Sequence, residues 1–171
     1  MIVALSESAR ATSAAEARYR IDHPNSQPRQ VKVIALDAAS ERVVKRIARG
    51  PWASATFFTS LTGDAPGGKN WSMQAWLGDV AGGAMDLLDE IAGADLVVMV
   101  AAAGGSPPAA SVIGEACGLN HVMTTALIVD AHGQSDAALS RTLAALRPYA
   151  AMLVVAEGED YIEAMLSALR A

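Results

Sequence analysis

One cysteine, Cys117, is too few for an internal disulfide. A lone thiol fits a reducing compartment. Charge is also scarce: charged residues make up 18% of the chain and the net charge is −5, with 13 Lys and Arg against 18 Asp and Glu. No basic patch is present to neutralise phosphates, so a nucleic-acid partner is not expected. Long apolar runs are missing too. The longest, LVVMVAAA at 96–103, falls far short of the about 20 residues of a spanning helix. The opening MIVAL meets Ser6 and Glu7 at once, which is too short for a signal-peptide core. The expectation is a soluble, cytoplasmic protein with no membrane partner.

What remains is apolar and regular. The 171 residues are 52% hydrophobic, enough for one domain with one core. Residues 1–30 read as an N-terminal arm: an Ala-rich stretch, SESARATSAAEARYR, runs into the breaker cluster DHPNSQPRQ. From Val31 a pattern sets in that predicts a single domain over 31–171. Strands are expected over 31–37, 55–61, 95–103, 124–130 and 151–157. Helices are expected over 41–50, the second half of 80–93, 107–118, 135–148 and 159–171. The later strands are almost wholly apolar, as in parallel sheets covered on both faces. The fold class is therefore α/β: a three-layer, Rossmann-like, doubly wound sheet of about five mainly parallel strands. The expected strand order is 3-2-1-4-5.

Ligands of such sheets sit beyond the carboxyl ends of the strands. The first strand ends at Asp37 and Ser40. The third ends in Gly104, Gly105 and Ser106. There Ser106 suits an N-cap and Pro107 the first helical position, and such a terminus attracts anions. A tight turn with a capped helix explains the same residues. The fourth strand ends at Asp130 with His132 two residues on, and the fifth at Glu157. Carboxylates Asp37, Asp130 and Glu157 on one edge could hold Mg²⁺ beside a phosphate, with His132 as acid or base. Each acid also suits a simple helix cap. No metal or cofactor is specified by these residues alone.

A second candidate lies in TGDAPGGKN, 62–70. Gly63, Gly68 and Lys69 match the start of a phosphate loop, but Asn70 stands where a hydroxyl should bind Mg²⁺ and Pro66 removes a backbone donor. The following WSMQAWLGD reads as a weak helix. Aromatic residues concentrate here: Trp52, Phe57, Phe58, Trp71 and Trp76. The long loop 62–79 reads as a lid, a subunit contact or local core packing.

The stretch ADLVVMVAAAGGSPPAASVIGEACG, 94–118, resembles the signature region of the tubulin/FtsZ GTPases. There an apolar strand leads into a glycine-threonine loop and an Ala-rich helix. Gly104, Gly105 and Ser106 match the start of that loop. VKVIALD, TTALIVD and LRPYAAMLVVAEGEDYI resemble further strand regions, so the likeness spans about 31–165. It implies the fold and an anion site at Gly104–Ser106. Pro107, Pro108 and Ala109 replace the family's Gly-Thr-Gly, which removes backbone donors, so efficient GTP hydrolysis is not implied.

Together these features predict a domain that binds a nucleotide or other phosphorylated small molecule through Gly104, Gly105, Ser106, Asp37, Ser40, Asp130 and His132. Two alternatives stand beside it. One is a non-catalytic scaffold that forms a homo-oligomer or binds a partner protein. The other is a Mg²⁺-dependent enzyme acting on a phosphorylated substrate. No convergent polar set names a reaction.

Overall fold

The computed structural model describes residues 28–61, 72–77, 80–105, 107–156 and 158–171. Most of the expected arm, the phosphate-loop-like stretch, Ser106 and Glu157 lie outside the described residues.

Strand β1 (Val31–Ala35) begins where the backbone of Gln30 engages Asp95: Gln30 N–H donates to Asp95 Oδ2 at 2.8 Å, and Asp95 N–H to the Gln30 carbonyl at 2.9 Å. Helix α1 (Ala38–Ile47) follows, then β2 (Ala55–Leu61), β3 (Ser72–Leu77), β4 (Val80–Asp86) and α2 (Leu87–Ala92). The second half alternates: β5 (Leu96–Ala102), α3 (Ala109–Leu119), β6 (Met123–Val129), α4 (Asp136–Leu146), a 3₁₀ turn (Arg147–Tyr149), β7 (Met152–Val155) and α5 (Glu159–Ala168). No helix among the described residues is long and apolar enough to cross a membrane.

The seven strands form one sheet in the order β4-β3-β2-β1-β5-β6-β7. The five from β2 to β7 across β1, β5 and β6 are parallel, and β3 and β4 extend the β2 edge antiparallel. The fold is thus the expected three-layer α/β arrangement. Side chains alternate between its two faces. Val31, Val33, Ala35, Val98, Val100 and Leu127 pack under Val43, Val44 and Ile47 of α1 and Ile162 and Leu166 of α5. Ile34, Phe58, Val97, Met99, Ala126 and Ile128 face α2, α3 and α4 through Leu87, Ile91, Ile113, Cys117 and Leu146.

Two expectations are corrected. Counting only the five parallel strands in chain order, the sheet runs 2-1-3-4-5, not 3-2-1-4-5. The 3-2-1 arrangement needs the third strand on the outer edge of β2. That edge is taken by β3, so the chain returns past β1 and β5 pairs on its other side. The expected weak helix after Asn70 is strand β3, and the first half of 80–93 is strand β4. The unpaired backbone of β2 recruits this segment, and pairing outweighs a weak local preference.

Helix boundaries shift for local reasons. Helix α1 starts three residues early because Asp37 and Ser40 form a capping box. Helix α3 starts late, at Ala109, with Pro108 in the N-cap position and no side-chain cap. Pro108 disfavours helical backbone at Pro107, so the first turn forms only beyond the pair.

Candidate functional site

The expected site residues divide into two groups. Asp37 and Ser40 belong to the framework. Asp37 Oδ1 accepts the Ser40 N–H at 2.8 Å, and Oδ2 accepts the Ala102 N–H at 2.8 Å. The Ser40 hydroxyl donates to the Asp37 carbonyl at 3.0 Å, and Ser40 is fully buried. Both carboxylate oxygens therefore fasten the start of α1 to the end of β5.

Gly104 and Gly105 form a turn whose backbone is already engaged. Gly104 adopts φ +97°, which favours glycine. Its N–H donates to Thr142 Oγ1 at 2.9 Å, while the Thr142 hydroxyl donates to the Gly105 carbonyl at 2.8 Å. The Gly105 N–H points to the Ala102 carbonyl at 3.4 Å. Their amides thus serve the turn, and Thr142, wholly buried on α4, is the side chain that holds it. Among the described residues no group of three His, Cys, Asp or Glu side chains is placed to hold a metal ion.

Asp130 and His132 are brought together elsewhere, in a cleft at the carboxyl ends of β6 and β7. Its larger chamber, about 430 Å³, is lined by the apolar Val43, Val129 and Ala156, by Asp130, His132 and Gln134 after β6, and by Gly158 and Glu159 after β7. A smaller chamber, about 310 Å³, continues along α1 past Ala39, Arg42 and Arg46. Val43, Asp130 and Glu159 line both. The larger volume falls in the usual range of small-molecule sites. Gly104 borders the rim: a Cβ there would sit 3.7 Å from Gln134 Oε1.

Asp130 is the unusual member. It follows the last residue of β6, adopts φ +54° and is exposed. The left-handed region is costly for a residue other than glycine, though Asp tolerates it better than most. Its carboxylate has no hydrogen-bond or ion-pair partner among the described residues, in contrast to Asp37. Across the cleft, Arg46 Nη1 lies 2.6 Å from Glu159 Oε1, tying α1 to α5. Arg42, one turn earlier, is exposed toward the smaller chamber.

Arg42, Arg46, Gln134 and Glu159 escaped the sequence reading. In the sequence the two arginines sit on the polar side of an amphipathic helix, where solvated charge is the ordinary explanation. Only the packing of α1 beside α5 turns them toward a strand end. No protein-family model matches the chain, and no curated protein matches it.

Proposed function

We propose that the protein binds a nucleotide or another phosphorylated small molecule in the cleft at the carboxyl ends of β6 and β7. The observation that carries this is Asp130, a residue in left-handed backbone whose carboxylate has no partner among the described residues and which lines both chambers. Unfavourable backbone at a strand end is characteristic of functional positions. A carboxylate there accepts hydrogen bonds from ligand hydroxyls. Arg42 and Arg46 supply cations for a phosphate in the smaller chamber, and the larger chamber has apolar walls for the body of the ligand. The reading keeps Asp130 and His132 at the ligand and makes Asp37, Ser40, Gly104 and Gly105 its support. Kinship with the tubulin/FtsZ GTPases is proposed on a likeness over about 31–165, in which 94–118 carries the one specific motif.

The test is a thermal-shift screen against nucleoside mono-, di- and triphosphates, dinucleotides and inorganic phosphate, with and without Mg²⁺. A ligand at 100 times its Kd stabilises the native state by about 2.7 kcal/mol. The expected result is a shift that Asp130→Asn reduces. Absence of any shift across the set overturns the reading.

A scaffold role is favoured by one separate observation. Leu119, Met123 and Met152 are 83%, 60% and 50% exposed near the amino ends of β6 and β7, away from the cleft. Exposed apolar residues in proximity mark interaction surfaces. Sedimentation over a wide concentration range tests for self-association.

A further inference from the structure

The two chambers of the cleft meet at Glu159, the first residue of α5. A carboxylate in the first turn already suits the helix dipole, and it has no need of a distant partner. Glu159 nevertheless reaches across to Arg46, 113 positions away in the chain. The contact sits in the chamber where Arg42 and Arg46 converge from consecutive turns of α1. There one carboxylate oxygen meets the Arg46 guanidinium while Arg42 lines the same chamber, and two guanidinium groups are a donor set better matched to a phosphate with its three terminal oxygens and greater charge.

We propose that Glu159 is a resident anion: its carboxylate engages the Arg46 guanidinium that a phosphate ester takes on binding, and the ligand exchanges one anion for the other. The inference rests on the reading of the cleft as a site for phosphorylated molecules. The exchange is feasible because the pair is loosely held. The Arg46 side chain is 64% exposed, Glu159 is 28% exposed, and such pairs in contact with water are weak. It also couples binding to the cleft's shape, since the same ion pair links α1 to α5. Arg46 changes partner, Arg42 joins it, and Glu159 turns away from the incoming charge or accepts a hydroxyl from the ligand.

The experiment titrates inorganic phosphate and adenosine monophosphate, at fixed ionic strength, into the wild-type chain, Glu159→Gln, Arg42→Ala, Arg46→Ala and the Glu159→Gln/Arg46→Ala double variant. Glutamine keeps the shape of the side chain and removes the competing charge. The expected result is binding tightened about three- to tenfold by Glu159→Gln, weakened by either arginine variant, and no tightening in the double variant. Binding that Arg42→Ala or Arg46→Ala weakens but Glu159→Gln leaves unchanged or weakens overturns the exchange and leaves the cleft reading standing. Tightening that persists in the double variant also overturns it, because Arg46 is then not the shared partner. Failure of both probes to bind the wild type and Glu159→Gln overturns the inference and the cleft reading together.

Discussion

The Asp37 carboxylate accepts the backbone N–H of Ala102 at 2.8 Å, joining the start of α1 to the end of β5 across 65 positions of chain. With its second oxygen on Ser40, Asp37 fixes where α1 begins, and hence where Arg42 and Arg46 stand. Replacing Asp37 by Ala removes a helix cap and leaves the Ala102 N–H without its partner. The expected cost is about 2–3 kcal/mol in urea denaturation.

Asp130 makes the opposite prediction. Asp130→Gly relieves left-handed backbone, so stability is expected to rise by a few tenths to about 1 kcal/mol, raising Tm by about 1–4 °C. The same change removes the carboxylate from the wall of the cleft and is expected to weaken ligand binding. A variant that is both more stable and poorer at binding identifies a position kept for the ligand. Loss of stability in calorimetry counts against strain at Asp130.

Cys117, on the buried face of α3, is 1% exposed, and burial pushes its thiol from 9.0 up to about 11. The thiol of the unfolded chain titrates first. The stabilisation is therefore complete below about pH 9 and is lost progressively toward pH 11, by about 2–3 kcal/mol in all. Cys117→Ala is expected to flatten that part of the stability curve. At pH 8 the native thiol is expected to react with a disulfide reagent only as fast as the protein opens.

Helix α3 passes close to the 3₁₀ turn at Gly114. A Cβ on Gly114 would collide with Tyr149 Cβ and lie 2.9 Å from Cγ and Cδ1 of the ring. Alanine is the better helix former by about 1 kcal/mol, but here the clash decides the sign. Gly114→Ala is expected to lower stability by about 1–3 kcal/mol. In the double variant with Tyr149→Gly, which removes the Cβ as well as the ring, the helix preference should reappear as a smaller combined loss than the two single losses added. Additive losses would show that the contact is not what limits the site.

The five parallel strands were legible because Leu96–Ala102 and Met123–Val129 are nearly unbroken apolar runs, which only a sheet covered on both faces accommodates. The antiparallel pair β3–β4 was not legible. Ser72–Leu77 mixes polar and apolar residues without a clear period, and its conformation comes from the free edge of β2. Missing that pair also gave the wrong strand order. At the strand ends, Asp130 and His132 could be named as candidates because ligands of such sheets gather beyond the strands, and the structure places both beside the cleft. Nothing local distinguished Asp37 from Asp130. One is tied by two backbone amides and the other has no partner among the described residues, and that difference depends on Ala102, which is 65 positions from Asp37. The arginines needed knowledge of which helix lies beside which.

Strand β7 has four residues and, among the described residues, pairs with β6 alone. One wall of the cleft, with Ala156, Gly158 and Glu159, follows this short border strand. Central β5 is held on both sides, by β1 and by β6. Amide protons of β7 are therefore the ones to exchange with solvent through small local openings, while those of β5 wait for the whole domain to unfold. A molecule seated between α1 and α5 would staple the border strand to the body of the sheet, and slowed exchange at Leu153 and Val154 would report its arrival without any label on the ligand.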